Sequence, residues 1–139
     1  MTRIVSGKWG GRRLQTPTGD KTRPTSDRVR EALFSSLGSL LGDLDGLRVL
    51  DLFAGSGALS FEALSRGAAQ ADLVESDAKV VSVLKRNADL LAAPVRIHRT
   101  TAQKFVDRGR GPWELGCVGP PCAMATAEVT GLVAALRPS

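Results

Sequence analysis

The fold is decided by the stretch Leu47-Arg-Val-Leu-Asp51-Leu-Phe-Ala-Gly55-Ser-Gly57, in which an apolar run ends in an acidic residue and a glycine-rich turn. The nearly continuous apolar residues over 47–53 predict a buried strand of the parallel kind. A helix is predicted over 58–66, with Gly67 just past its end. The turn therefore joins a buried strand to a helix, as at the ligand-binding edge of an open α/β sheet.

Outward from this turn, strands and helices alternate along the chain. Further strands are predicted over 71–75, 95–98 and 113–118, and further helices over 26–41, after Asp77, and over 102–106 and 123–136. This alternation implies right-handed βαβ units and a parallel sheet covered on both faces. The predicted fold class is therefore α/β, with four strands that fit the first half of a doubly wound sheet.

Length and composition exclude several classes of protein. The chain has 139 residues, of which 42% are hydrophobic and 24% charged, enough for the core of one domain. It has no apolar run near the ~20 residues of a membrane span and no apolar stretch typical of a secretory signal. The two cysteines, Cys117 and Cys122, and the one histidine, His98, are too few for a disulfide scaffold or a Cys/His zinc site. We therefore expect a cytoplasmic protein, a monomer, with no metal and no membrane partner.

Positive charge is concentrated at the start of the chain. Residues 1–30 carry eight lysines and arginines against Asp20 and Asp27, whereas the rest carries 11 basic and 12 acidic side chains. Concentrated charge of this kind indicates a phosphate-backbone partner, RNA or DNA. A solvated basic tail is the alternative. The glycines and prolines of this segment predict turns around short extended pieces.

Two carboxylates indicate the class of ligand. Asp51 ends the first strand, and Glu75 ends the second, 20 residues after Gly55. An acidic residue at the second strand end typically accepts hydrogen bonds from the ribose hydroxyls of an adenosine. An NAD-dependent oxidoreductase is disfavoured, because Ser60 stands where the dinucleotide fingerprint has a glycine and because Asp51 would repel a diphosphate. The charge of Asp51 suits the amino and sulfonium groups of S-adenosylmethionine; the alternative is that both acids are only polar strand ends.

The same residues resemble a known family. The turn is similar to that of bacterial ribosomal RNA methyltransferases of the RsmD type. Four further stretches also resemble this family: Glu62-Ala-Leu-Ser-Arg-Gly67-Ala, Val74-Glu75-Ser-Asp77, Gly11-Arg-Arg-Leu14 and Thr22-Arg-Pro-Thr25-Ser-Asp27-Arg-Val-Arg-Glu-Ala-Leu-Phe34. The resemblance implies a class I, Rossmann-like methyltransferase fold that uses S-adenosylmethionine. It also implies methylation of the exocyclic N2 amine of a guanine, with 16S ribosomal RNA or the small ribosomal subunit as partner.

The resemblance assigns residues to the cofactor and to RNA. The implied cofactor-binding residues are Asp51, Phe53, Gly55, Gly57, Glu75, Ser76 and Ala102. Among them, Asp51 and the two glycines would hold the methionine end, Glu75 the ribose, and Ala102 would lie near the adenine, although Thr101 replaces the acidic residue that usually precedes it. The candidate RNA-binding residues are Arg12, Arg13, Arg23 and Arg28. Arg23, Thr25 and Arg28 are also candidates for closing the cofactor pocket, and a solvated helix face is the alternative for Arg28 and Arg30.

The sequence departs from the family in its catalytic motif. Amino-group methyltransferases carry Asp or Asn, two prolines and an aromatic residue, which accept the N–H groups of the base and stack on it. Here Pro120 and Pro121 are in register, but Gly119 and Cys122 stand at the acceptor and stacking positions. Nucleophilic catalysis by Cys122 is an alternative that the sequence disfavours, because no histidine is near it along the chain and no partner is recognisable. We therefore expect impaired activity, and a catalytically inactive remnant that binds cofactor and RNA is the alternative.

The family also continues through three more strands. We expect a C-terminally truncated sheet with an exposed edge. The expected organisation is a single domain over 1–139, with a basic extension and helix over 1–42 and the cofactor-binding α/β part over 43–139.

Overall fold

The structure, a computed structural model, describes residues 2–16, 27–41, 44–107, 113, 115–117 and 122–124. The strands are β1 (Thr2–Arg3), β2 (Arg13–Leu14), β3 (Arg48–Asp51), β4 (Gln70–Glu75), β5 (Val95–Arg99), β6 (Leu115–Cys117) and β7 (Cys122–Met124). The helices are α1 (Asp27–Leu41), α2 (Ala58–Ser65), α3 (Ala78–Leu91) and α4 (Ala102–Asp107).

The main sheet has the strand order β5-β4-β3-β6-β7. Strands β3 to β6 are parallel, whereas β7 is antiparallel to β6. The chain proceeds outward from β3 through β4 to β5 and then returns to the other side of β3 for β6. The strand order therefore reverses beside β3, and ligands of open α/β sheets bind outside the carboxyl ends of the strands at such a point.

Alternation of side chains along the strands fills two apolar layers, one on each face of the sheet. Val49, Ala71 and Leu73 belong to the larger layer, which also includes residues of α2 and α3. Leu50 and Val74 point to the opposite face, where they cluster with residues of α4 and with Trp113. The predicted α/β sheet with two covered faces is confirmed for the part of the chain that is described.

The basic N-terminal segment forms a small antiparallel hairpin, in which Thr2 pairs with Leu14 and Arg3 with Arg13. Its apolar residues Ile4, Trp9 and Leu14 are buried in the larger core layer. The predicted short extended pieces joined by turns are thus confirmed for residues 2–16, whereas residues 17–26 are outside the described part of the chain. Apolar burial attaches this hairpin to the sheet domain.

The hairpin is also held on α2 by buried polar side chains. The Glu62 carboxylate accepts the backbone N–H groups of Val5, at 2.8 Å, and of Ser6, at 3.1 Å. The Ser65 hydroxyl donates to the Ser6 carbonyl at 2.6 Å and accepts the Trp9 N–H at 2.9 Å. These bonds satisfy backbone groups that the two-residue strands leave unpaired.

Two sequence expectations about the end of the chain are corrected. A helix was expected over 123–136, but Ala123 and Met124 lie in β7; the rest of that range is outside the described residues. The sheet was expected to end at the fourth strand, but β7 pairs with β6, Gly116 opposite Ala123, so β7 is the end strand of the described sheet. Backbone pairing at an open sheet edge overrides the helical preference of alanine in these residues.

Strand β3 is shorter than expected, because Leu52 and Phe53 already belong to the turn that follows Asp51. No helix of the described part of the chain is long and apolar enough to cross a membrane.

Candidate functional site

Asp51 is the last residue of β3 and is buried. Its carboxylate accepts the Ser60 hydroxyl at 2.9 Å and, more weakly, the Phe53 N–H at 3.4 Å. Burial raises the pKa of Asp51 from 3.8 to about 6, and the Glu75 carboxylate adds to the rise, whereas both hydrogen bonds oppose it. An ionised carboxylate offers about four acceptor positions, so Asp51 can accept further hydrogen bonds. A cationic donor would offset the free-energy cost of burying the charged carboxylate.

The two glycines of the turn have different roles. Gly57 has a φ of +86°, and a Cβ there would meet the Phe61 ring and lie 2.6 Å from Leu84 Cδ1. Gly55 has a φ of +57°, and a Cβ there would meet no atom within 4 Å. Gly57 is therefore required by packing, whereas Gly55 leaves backbone exposed to open space, where a ligand can approach closely.

Glu75 ends β4 beside this turn. One carboxylate oxygen accepts the Gly55 N–H at 3.1 Å, and the other accepts the Asp77 N–H at 3.1 Å. Glu75 thus fixes the turn from the neighbouring strand and retains acceptor positions on each oxygen. Asp77, as predicted, caps α3 by accepting the N–H groups of Lys79 and Val80 at 2.8 and 3.3 Å.

The other predicted cofactor residues differ in exposure. Phe53 is 55% exposed, which is unusual for a large apolar side chain, and Ser76 is exposed. Ala102 is buried at the start of α4, in the cluster that also holds Leu50 and Val74. Asp51 and the hydrogen-bonded pair Gly55 and Glu75 thus lie at the carboxyl ends of β3 and β4. Phe53 and Ser76 are at the same edge of the sheet, and Ala102 follows the adjacent strand β5.

The basic residues separate into two groups. Arg12, Arg13 and Arg28 are exposed, and the Arg12 guanidinium donates to the Leu90 carbonyl at 3.1 Å. Arg30 is buried, donates to the Arg3 carbonyl and lies 3.8 Å from the Glu62 carboxylate. The solvated helix face considered for Arg30 is therefore wrong, because a buried carboxylate on α2 faces this guanidinium.

Part of the predicted site lies outside the described residues, namely Arg23, Thr25, Gly119, Pro120 and Pro121. Cys122 is described by its backbone, which pairs with Cys117 in the antiparallel ladder.

Two polar residues of the site were missed by sequence reasoning. Ser60 was considered only as a departure from the dinucleotide fingerprint, yet its hydroxyl is a donor to Asp51. Asn87 is buried in α3 and donates to the Ser56 carbonyl of the turn at 3.0 Å. The sequence does show a polar residue at position 87 on the apolar stripe of a helix. It does not show which groups this residue binds, because they are distant in sequence.

Comparison with known proteins identifies the family. A family model described as Conserved hypothetical protein 95 matches residues 2–135. The chain belongs to this family. Ribosomal RNA small subunit methyltransferase D of Escherichia coli is 43% identical over 129 residues, and the match covers 92% of this chain and 64% of that protein. The RsmD-type resemblance predicted from the sequence is confirmed, and the chain spans less than two thirds of the length of this relative.

Solved structures agree with this assignment. A candidate methyltransferase from Escherichia coli superposes with a TM-score of 0.75 at 43% identity, over 86% of this chain and 64% of that chain. A hypothetical protein from Thermus thermophilus superposes with a TM-score of 0.74 at 31% identity, over 97% of this chain and 78% of that chain. The RsmD-type chain thus has the Rossmann-like fold of class I methyltransferases.

Proposed function

We propose that this RsmD-type chain belongs to an enzyme that transfers a methyl group from S-adenosylmethionine to the exocyclic N2 amine of a guanine in 16S ribosomal RNA. The observation that carries the proposal is the buried Asp51 at the strand-order reversal, next to a turn whose Gly55 N–H is bound by the Glu75 carboxylate. We place the reaction in the cytoplasm, with the chain acting as a monomer on RNA or on the small subunit.

The residues present fit this cofactor. Asp51 is a buried acid with unused acceptor positions, which suits the ammonium of the methionine end. Gly55 leaves open space at the turn, so that a ligand can reach the backbone. Glu75 retains acceptor capacity for ribose hydroxyls. Phe53 and Ser76 would line the same edge, and Ala102 would lie near the adenine.

The protein's share of the chemistry is mainly orientation. S-adenosylmethionine, when bound, supplies a methyl group that its sulfonium already activates. Asp51, Glu75 and the turn would fix the donor end, so that alignment provides much of the rate.

An inactive remnant that binds cofactor and RNA is the second candidate function. It is favoured by Gly119 and Cys122, which provide neither the acceptor oxygen nor the aromatic ring expected beside Pro120 and Pro121. Loss of one well-placed acceptor in a buried site costs on the order of 10²–10³ in rate.

Methyl transfer distinguishes the two functions. Labelled S-adenosylmethionine is supplied to undermethylated small ribosomal subunits with the natural chain or with its Gly119→Asp/Cys122→Tyr variant. We expect transfer by both, faster in the variant by about 10²-fold because the acceptor and the ring are restored. Transfer by the variant alone would support the inactive remnant, and transfer by neither would contradict the proposed enzyme.

The proposed RNA binding predicts a dependence on salt. Neutralising Arg12, Arg13 and Arg28 to glutamine should weaken binding of a 16S ribosomal RNA transcript and make the slope of log K against log salt shallower, by about 0.7 for each phosphate that is no longer bound. Filter binding at several salt concentrations measures this slope. Arg96 and Lys104 are exposed basic residues on β5 and α4 and provide the matched control. If their neutralisation changes the slope equally, the N-terminal segment is not the RNA-binding surface.

A further inference from the structure

Asn87 makes three hydrogen bonds in the interior of the molecule. Its side chain is buried in α3, with 1% of its surface exposed. The Oδ1 atom accepts the Gln15 N–H at 2.9 Å, and Nδ2 donates to the Gln15 carbonyl and to the Ser56 carbonyl, both at 3.0 Å. Both amide protons are therefore used, and the two partners lie in different parts of the chain.

One partner belongs to the basic N-terminal segment and the other to the cofactor turn. Gln15 directly follows β2, two residues after the exposed Arg13. Ser56 lies between Gly55 and Gly57, in the turn whose Gly55 N–H is bound by Glu75. A single amide thus connects the backbone of the segment assigned to RNA with the backbone of the turn assigned to the cofactor.

Burial makes this connection sensitive to the position of both partners. A displacement of either backbone by an ångström or more would leave the buried Asn87 amide without one of its partners, which is costly away from water. A ligand that fixes the turn therefore favours the position of Asn87 that also binds Gln15. The same holds in reverse for RNA that fixes the N-terminal segment.

We propose that Asn87 is a positioning residue through which RNA binding and cofactor binding strengthen each other. The inference rests on the proposed function, because it takes the two ligands from there. Linkage requires the coupling to be reciprocal: the factor by which RNA raises the affinity for the cofactor equals the factor by which the cofactor raises the affinity for RNA. We expect a factor of about 10, within the usual range of coupled sites.

The test measures the Kd of labelled S-adenosylhomocysteine by equilibrium dialysis, with and without a saturating 16S ribosomal RNA transcript. Asn87→Ala removes all three hydrogen bonds. Gln15→Pro removes the N–H that Asn87 accepts and leaves in place the Asn87 bonds to the Gln15 carbonyl and to Ser56. Leu14 before it is in a strand, the conformation that a following proline favours. Ser65→Ala is the matched control, because Ser65 holds the same hairpin on α2 and its hydrogen bonds do not involve the turn.

The natural chain and Ser65→Ala should show a tenfold gain in affinity with RNA, and Asn87→Ala should show less than a twofold gain. Gln15→Pro should show a reduced gain of about threefold, because it loses one of the two hydrogen bonds between Gln15 and Asn87. Asn87→Ala should also bind S-adenosylhomocysteine more weakly without RNA, while Gln15→Pro should keep that affinity. If Asn87→Ala does not fold, Gln15→Pro decides. Full coupling in a folded Gln15→Pro chain, or binding of both ligands to the natural chain without coupling, would overturn the inference alone. A natural chain that does not bind S-adenosylhomocysteine would overturn the proposed function together with it.

Discussion

Replacing Asp51 with asparagine should remove most of the affinity for S-adenosylhomocysteine and, above pH 6, make the ligand-free protein more stable. The affinity should fall on the order of 10²-fold, since hydrogen bonds to charged groups contribute about 1.5–3 kcal/mol each. The opposite effect on stability arises because hydrogen bonds from Ser60 and Phe53 offset only part of the cost of burying this carboxylate.

The sign of the stability effect follows from the raised pKa. The pKa of Asp51 is about 6 in the folded chain against an ordinary value of 3.8. Its protonated form therefore favours the folded state below pH 3.8, and this contribution is lost as the pH rises through 6. A difference of about two pKa units corresponds to about 3 kcal/mol as an upper bound.

The effect is measured by urea unfolding at pH 5 and pH 8. The proteins compared are the natural chain, Asp51→Asn and the control Asp89→Asn, in which the replaced residue is exposed. Asp51→Asn should gain about 1–3 kcal/mol over the natural chain at pH 8 and about half as much at pH 5, because pH 5 lies between the two pKa values. Asp89→Asn should change the free energy of unfolding little at either pH. A less stable Asp51→Asn protein at pH 8 would show that Asp51 serves the fold rather than a ligand.

Alanine substitutions at the two glycines of the turn should have different consequences for stability and for ligand binding. Gly57→Ala should destabilise the protein by about 3 kcal/mol or more, because its Cβ would overlap Phe61 and Leu84 and its φ is +86°. Gly55→Ala should cost only about 1–2 kcal/mol, since its Cβ meets no protein atom. Gly55→Ala should instead weaken S-adenosylhomocysteine binding by roughly tenfold, as its Cβ occupies space left for the ligand.

The two alanine variants control for each other, since both place a side chain at a positive φ. Urea unfolding gives the stability of each, and calorimetric titration gives the affinity of each folded variant. Equal destabilisation by the two substitutions would contradict the different packing of the two glycines. An unchanged affinity for S-adenosylhomocysteine in Gly55→Ala would show that the ligand does not bind on that side of the turn.

The sequence predicted those parts of the structure that depend on local pattern. The apolar run before Asp51, the turn at Gly55 and the cap at Asp77 are each encoded within a few residues, and each is found where it was expected. The approach of Asp51 to Glu75 follows from parallel strands that end at one edge of a sheet.

The sequence did not predict hydrogen bonds between distant residues. Glu62 binds the N–H of Val5 across 57 positions, and Asn87 binds Gln15 across 72. No periodicity relates such pairs, so the anchoring of the hairpin and the burial of Arg30 were unexpected. β7 was missed for a related reason: the composition after Pro121 favours a helix, whereas the open edge of β6 provides backbone partners for a strand.

The central claim is that Asp51, Gly55 and Glu75 form a site for the methyl donor. The most direct test is calorimetric titration of the natural chain at pH 8 with S-adenosylhomocysteine and, separately, with NAD, alongside Asp51→Asn. The account predicts binding of S-adenosylhomocysteine, no binding of NAD, and a loss of affinity on the order of 10²-fold in Asp51→Asn. Binding of NAD alone, or equal affinity of the natural chain and Asp51→Asn for S-adenosylhomocysteine, would contradict it.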